Sequence, residues 1–198
     1  MEEINLESAL DPINIFRDWL KDAEASELND PNAVALATAT RDGIPSVRMV
    51  LLKGIDERGF AFYTNAESQK GTEIKENPRA AMCFHWKSLR RQIRVSGTVT
   101  ELPASDTDRY FQTRSHLSQL AAAASQQSRV LLSRELLLAR VEELNAEFPT
   151  EVPRPAYWKG FALQPERIEF WISHEGRLHD RVVYLRTGDQ WRKERLFP

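Results

Sequence analysis

The sequence predicts a mainly β protein with helices, an α+β chain whose strands form an antiparallel barrel or sandwich with helices packed outside. Three observations carry this expectation. Short apolar runs are separated by turn signals such as Arg41-Asp42-Gly43, Asp56-Glu57-Arg58-Gly59 and Thr187-Gly188-Asp189, which is hairpin spacing. Strand and helix signals do not alternate regularly, so a parallel βαβ sheet is not indicated. Between 91 and 101, Ile93, Val95, Gly97 and Val99 alternate with Gln92, Arg94, Ser96 and Thr98, which gives one core face and one polar face.

The elements follow in order. Asp11-Pro12 reads as an N-cap and first helical residue. Ile13, Phe16, Leu20 and Ala23 then follow at helical spacing, so an amphipathic helix is expected to about Glu27. Strands are expected over 33–40, 47–53 and 60–64, then a helix over 67–76 stopped by Asn77-Pro78. Strands over 79–86 and 91–101 come next. The stretch 104–148 reads as mostly helical, and its run Ala121 to Ala124 is a good helix former. Strands over 158–171, 181–186 and 190–196 close the chain. No repeat or low-complexity segment interrupts it.

Bulk properties bound the function. A length of 198 residues fits one domain spanning 1–198, with 1–10 as a disordered arm. The chain is 41% apolar and 28% charged, as expected of a soluble globular protein. A net charge of -2 leaves no global basic field for nucleic acid. No apolar run is long enough for a membrane span. The acidic start Met1-Glu2-Glu3-Ile4-Asn5 lacks signal-peptide regions. Cys83 is the one cysteine, which rules out an intrachain disulfide and suits the cytoplasm. It sits in the apolar run Ala80-Ala81-Met82-Cys83-Phe84 and reads as buried filler. The four histidines and Cys83 show no metal-ligand spacing. No GxGxxG, P-loop or GxSxG is present.

Several constellations could carry chemistry. Near the C-terminus, the alternating run Gln164-Pro165-Glu166-Arg167-Ile168-Glu169-Phe170-Trp171 precedes Arg177-Leu178-His179-Asp180-Arg181. Two arginines, a histidine and an aspartate can hold an anion and polarise or exchange a proton. On an extended segment Arg177, His179 and Arg181 share a face. Taken alone, such a cluster is more often a solvated hairpin.

Val47-Arg48-Met49-Val50-Leu51-Leu52-Lys53 reads as a strand apolar on both faces. Its cations Arg48 and Lys53 would point to opposite sides, although such a pattern alone is more often a buried strand with snorkelling ends. Phe62-Tyr63-Thr64-Asn65 followed by Ser68-Gln69-Lys70 places a hydroxyl, backbone N–H groups and a lysine at a helix start. That suits a phosphate; ordinary capping explains it about as well. Tyr110, Arg114 and Ser118 share a helix face if the helix is continuous, and arginine offers phosphate a bidentate fork. Gln126-Gln127-Ser128 adds a small polar cluster. Several candidate anion-binding groups in a chain without a metal site suggest two phosphorylated ligands.

In their order along the chain, these motifs resemble the pyridoxamine/pyridoxine 5'-phosphate oxidase family. The resemblance runs from Asp11 to the end. It includes Glu76-Asn77-Pro78-Arg79, Arg91-Gln92-Ile93-Arg94-Val95-Ser96-Gly97, Tyr110-Phe111, and a terminal Arg195-Leu196-Phe197-Pro198 similar to the family's Arg-Leu-x-Pro. The C-terminal Arg177–Arg181 motif is specific; the internal ones are specific in combination. The resemblance implies an antiparallel FMN-binding split β-barrel with flanking helices, working as a homodimer with FMN at the subunit interface. It implies oxidation of pyridoxamine or pyridoxine 5'-phosphate to pyridoxal 5'-phosphate, with O2 as acceptor and H2O2 released.

Carried over residue by residue, Arg48, Met49, Val50, Leu51, Leu52, Lys53, Tyr63, Thr64, Gln69, Lys70 and Gln92 would contact FMN. Gln127, Ser128, Trp171 and Arg181 would contact it from the other subunit. Lys53, Tyr110, Arg114 and Ser118 would hold the substrate phosphate. Arg177, Leu178 and His179 would lie over the substrate, with Arg177 stabilising charge and His179 hydrogen-bonding or accepting a proton. Three departures stand out. Gln69 replaces a common arginine, Ser115-His116 replaces a usual Pro-Arg, and Ala121-Ala122-Ala123 replaces a usual Gly-Ala-Trp. The competing readings are another split-barrel flavoprotein oxidoreductase and a non-catalytic FMN or pyridoxal-phosphate carrier.

Overall fold

The computed structural model describes residues 11–198; the arm expected at 1–10 lies outside the described residues. Helix α1 (Pro12–Ser26) starts where the Asp11 carboxylate accepts from the Ile13 amide at 2.9 Å. It buries Ile15, Phe16, Trp19 and Ala23. Ile13 and Leu20, expected on its apolar face with Phe16 and Ala23, are only partly buried and pack against the core from its side. Phe16 meets Phe60 and Phe84, each at 4.9 Å between ring centroids, and Trp19 meets Phe170 at 5.2 Å. Burying such a ring contributes about 1.5–3 kcal/mol, so α1 plugs the open side of the sheet.

The described strands are β1 (Ala33–Ala39), β2 (Pro45–Leu51), β3 (Gly54–Asp56), β4 (Gly59–Asn65), β5 (Arg79–Trp86), β6 (Arg91–Glu101), β7 (Trp158–Ile172), β8 (Asp180–Thr187) and β9 (Gln190–Arg195). They pair antiparallel in the order β2-β1-β5-β6-β7-β4-β3, with β8 on β7 and β9 on β8. The result is a curled half-barrel, as the hairpin signals indicate. Strand β3 is absent from the sequence reading because three residues are too short to show a period. Lys53 lies beyond the end of β2, where its amide donates to the Ala61 carbonyl at 2.8 Å. The expected opposition of Arg48 and Lys53 along one strand therefore does not arise.

Strand β7 organises the sheet. Its first half, Trp158 to Leu163, pairs with β4, its second half, Arg167 to Ile172, pairs with β8, and β6 runs along its other edge. The β6–β7 register shifts between Ser96 and Gly97. A Cβ on Gly97 would stand 1.9 Å from the Gln164 carbonyl oxygen, so the bulge requires glycine there.

The helical stretch is not continuous. It comprises α3 (Ala104–Gln112), α4 (His116–Ala124) and α5 (Arg134–Glu147), and α2 (Gln69–Glu76) lies earlier in the chain. Serine caps make the divisions: Ser115 Oγ accepts from the Ser118 amide at 3.3 Å and Ser133 Oγ from the Leu136 amide at 3.4 Å. Beneath these helices Phe111, Leu120, Leu144, Val152 and Trp158 form a second apolar cluster.

The sheet face turned away from α1 is unlike the core face. Across it lie Val47 and Met49, both exposed, then Ala35, Ala37, Ala81 and Cys83. All of these but Met49, with Arg94 and Arg167 at the edge, line a hollow of about 310 Å³. Cys83 is only half-buried there, and burial raises its thiol pKa.

Candidate active site

A cleft of about 420 Å³ opens where β2, β4, α2 and the α3–α4 turn converge. Met49, Val50, Leu51, Lys53, Tyr63, Thr64, Lys70, Tyr110, Arg114, Ser115, Ser118, Gln127 and Trp158 line it. Most of the expected phosphate ligands therefore meet in one place, although they are dispersed over 53–118 in sequence.

Lys70 is the unusual group. It stands in the first turn of α2 and is 7% exposed. Its ammonium donates to Gln127 Oε1 at 3.0 Å, Thr64 Oγ1 at 3.3 Å and Ser68 Oγ at 3.4 Å, all neutral oxygens. Burial, then the charge of Arg48, lower its pKa to about 8, against an opposing pull from Glu73. A buried cation at a helix start, with neutral partners, is a site prepared for an anion.

Arg114 provides a second cation. It lies in the turn between α3 and α4 and stacks over Trp158 at 4.9 Å and Phe111 at 5.7 Å. Its Nη1 is buried without a hydrogen-bond partner, and burial lowers its pKa. Guanidinium remains charged nonetheless, so Nη1 is a donor awaiting an acceptor. Tyr110, Arg114 and Ser118 do meet, but not along one helix face as a continuous helix would arrange them. The Ser115 cap breaks the helix, and Ser115 Oγ donates to Ser118 Oγ at 2.8 Å, so a turn brings the three together. Tyr110 stacks on Tyr63 at 4.1 Å, and Tyr63 stacks on Trp158 at 5.3 Å. A Cβ on Gly160 would come within 2.7 Å of Tyr63 Cε1, so that glycine makes room for the stack.

Other expected ligands are placed differently. Gln127 was expected opposite Lys70, across a subunit boundary. It instead lies in the same chain, bonded to Lys70 and Thr64, because the 125–133 connection folds back over α2. Its neighbour Ser128, at φ 73°, does not line the cleft. Leu52 is buried in the core. Arg48 points toward Glu73 at 3.4 Å, with Ser46, Thr38 and the Leu36 carbonyl as further partners. Gln69 Nε2 also donates to Glu73, at 2.9 Å. Burial would raise the Glu73 pKa, but hydrogen bonds from Ser46, Thr38 and Gln69 and the charge of Arg48 lower it.

The C-terminal motif forms a second, separate hollow of about 370 Å³, lined by 178–181 and 195–198. Arg177 is not on its wall. The expected shared face for Arg177, His179 and Arg181 fails because the chain must reverse between Ile172 and its partner Asp180. It does so through a 3-10 turn, Glu175–Arg177, with Gly176 and Arg177 at φ 63° and 62°. His179 packs on Trp171 at 4.7 Å. Gln92, Trp171 and Arg181 stand in one cross-strand row. Behind them Glu169, 2% exposed, accepts from Arg94 at 2.5 Å, Arg167 at 2.6 Å and Arg181 at 2.8 Å. Burial alone would raise the Glu169 pKa; hydrogen bonds from Arg167, Arg94 and Arg181 outweigh it and hold the pKa at about 2.

Sequence reasoning missed Ser115, Trp158, Glu73 and Glu169. Ser115, a favoured N-cap type directly before the run His116–Ala124, is a signal that could have exposed the first. Glu169, between Arg167 and Trp171 on an alternating strand, could have been read as their neighbour. Nothing local marks Trp158 or Glu73.

Comparison with known proteins places the fold and the family. A family model described as pyridoxamine 5'-phosphate oxidase matches residues 20–148. A second, described as the pyridoxine 5'-phosphate oxidase C-terminal dimerisation region, matches residues 158–198. A pyridoxine/pyridoxamine 5'-phosphate oxidase of Gluconobacter oxydans (strain 621H) is 54% identical over 189 residues, covering 95% of this chain and 94% of the relative. One of Azorhizobium caulinodans is 54% identical over 194 residues, covering 96% and 92%. Among solved structures, PhzG from Burkholderia lata 383, in complex with tetrahydrophenazine-1-carboxylic acid, superposes with TM-score 0.92 at 36% identity, covering 97% of this chain and 95% of that one. A pyridoxamine 5'-phosphate oxidase-related, FMN binding protein from Nostoc punctiforme PCC 73102 shares the fold, with TM-score 0.76 at 18% identity over 96% of this chain and all of that one.

The fold and the family matches together define a split-barrel oxidoreductase of the flavoprotein class. Within that class, the chain belongs to the pyridoxine/pyridoxamine 5'-phosphate oxidase family. Its dimerisation region holds Trp171, Arg177, His179 and Arg181. Among the described residues no helix is long and apolar enough to cross a membrane.

Proposed function

We propose that this chain is an FMN-dependent oxidase that converts pyridoxamine 5'-phosphate or pyridoxine 5'-phosphate to pyridoxal 5'-phosphate, with O2 as acceptor and H2O2 as product. The observation that carries the reading is a cleft with two cationic points that no carboxylate neutralises inside it, Lys70, bonded only to neutral oxygens, and Arg114, whose Nη1 has no acceptor, with stacked aromatic rings beside them. One point suits the phosphate of FMN and the other the phosphate of the substrate. The residues fit both: Lys70 has neutral partners, and Arg114 Nη1 lacks an acceptor.

When bound, the flavin supplies the redox step, taking hydride from the substrate's C4' carbon and passing electrons to O2. The protein's share is binding, orientation and charge. Lys70, Thr64 and Gln127 hold the cofactor phosphate, with Tyr63 and the 48–53 backbone along its length. Lys53, Tyr110, Arg114 and Ser118 hold the substrate phosphate, so the ring is fixed at one end before it reacts. The hollow at His179 shares no lining residue with the cleft. A homodimer that brings one protomer's hollow to the other's cleft completes the site. Gln92, Trp171 and Arg181 then reach FMN at the interface, and Arg177 and His179 reach the substrate. The bare sheet face carrying Val47 and Met49 supports such an assembly, since apolar exposure of this kind marks an interface.

The test is peroxide release from the purified protein on addition of pyridoxamine 5'-phosphate, together with chromatography of the cofactor freed by heat. Expected are FMN and stoichiometric peroxide. Bound FMN without turnover of either B6 phosphate would reassign the chain to another split-barrel reaction or to a carrier. FAD, or no flavin uptake, would overturn the cofactor assignment.

A further inference from the structure

The turn that carries His179 contains a side-chain arrangement that the proposed reaction does not by itself explain. The backbone amide of His174 donates to His179 Nδ1 at 3.1 Å. The His174 ring turns the other way, its Nε2 lying 2.9 Å from Asp180 Oδ2. Asp180 Oδ1 also lies 3.5 Å from Arg195 Nη1, and the Leu196 amide donates to the Arg181 carbonyl at 2.9 Å. Asp180 thus ties the start of the 173–179 turn to the chain's last strand, with His179 in between.

An amide N–H can only donate, so His179 Nδ1 must accept. In the neutral imidazole the two nitrogens have opposite roles. The proton of neutral His179 is therefore on Nε2. We infer that His174, through its Asp180 contact, is a positioning residue that fixes His179 as the Nε2–H tautomer, so that His179 offers the substrate a hydrogen-bond donor rather than a base. The inference rests on the proposed oxidase reading for the identity of the substrate, but the tautomer stands apart from it. A donor at this place suits an oxygen on the substrate ring that carries negative charge, and it leaves proton removal to another group or to water. The Trp171 ring at 4.7 Å limits how His179 can rotate, and the latch removes the remaining freedom at the backbone.

Two measurements on the FMN-loaded full chain test this. The first is a long-range proton–nitrogen NMR correlation with histidine labelled, the His179 signal being assigned by its loss in His179→Gln. The wild type should show the Nε2–H pattern. His174→Ala should give a mixture of tautomers, and His174→Gln, whose amide can still donate to Asp180, should restore the wild-type pattern. The second is kinetics with pyridoxamine 5'-phosphate. His174→Ala should lose about ten- to a hundredfold in kcat/KM, mostly in kcat, with the FMN dissociation constant within about threefold of wild type, and His174→Gln should recover most of the loss. A wild-type Nδ1–H tautomer, or a His174→Ala protein with unchanged tautomer and unchanged kcat, overturns the inference. The NMR result decides it even if the wild type does not oxidise this substrate, which would count against the proposed function alone.

Discussion

Lys70 and Arg114 make opposite kinds of demand on a ligand, and each can be tested by one substitution. With the Lys70 pKa at about 8, the ammonium is charged below that pH and ready for phosphate. Above it, binding must first take up a proton. The FMN dissociation constant should therefore rise between about pH 8 and 9.5, by up to roughly tenfold per pH unit, while Lys70→Arg, charged throughout, should stay flat. Titration by flavin fluorescence checks this; a flat wild-type profile refutes it. The same depression has a stability consequence of known sign. Between about 8 and the ordinary 10.5 the unfolded lysine still holds a proton that the folded one has released, so the flavin-free protein gains stability as pH rises through that window. Arg114 acts on the substrate instead. Its loss removes a charge-assisted contact of about 1.5–3 kcal/mol, made about equally in ground and transition states. Arg114→Ala should therefore raise KM about ten- to a hundredfold with little change in kcat. Steady-state kinetics decides it, and an unchanged KM removes Arg114 from the substrate site.

Between elements, the decisive feature is the break between α3 and α4. Ser115 caps α4 and also bonds Ser118, so one hydroxyl both stops a helix and aims a ligand. Ser115→Ala should cost about 1 kcal/mol of stability, a fall in Tm of about 2–4 °C, and should also raise substrate KM. A thermal melt and a KM measurement on one sample check both; a lower Tm with unchanged KM would make Ser115 a cap and nothing more. This break also shows where the sequence was legible and where it was not. Strand positions were readable because alternation and turn residues are local, as in β6 with Ile93, Val95 and Val99 inward. The stretch 104–148 was legible as mostly helical but not as three helices, because a serine cap ends a helix by a side-chain bond to the backbone that propensity along the sequence does not display. The cleft was readable as a set of residue types but not as an arrangement. The left-handed pair Gly176 and Arg177 undid the expected alternation, and nothing in the local sequence tells that Gln127 folds back onto Lys70.

At the scale of the molecule, the division between cleft and C-terminal hollow gives the proposed dimer a sharp test. Arg114→Ala and His179→Ala proteins, each impaired alone, should regain activity when mixed and allowed to exchange subunits, since one site in a mixed dimer then carries neither change. Flavin should also favour the assembled state, so light scattering should show tighter dimers with FMN than without. Mixtures no more active than their parts would place both residues in one protomer's site. Strand β7 has a further consequence, for how the protein is made. It is the only partner joining β6 to β4 among the described strands, and it lies about a hundred residues after β4. A chain emerging from the ribosome must therefore hold one edge of β4, whose other edge carries only the short β3, and the outer edge of β6 unpaired until residues 158–172 appear. Open strand edges invite pairing with other chains, and such distant pairing is slow to form. Nascent chains stalled before residue 158 should remain protease-sensitive and depend on chaperones, while those stalled well beyond 172 should become resistant in one step.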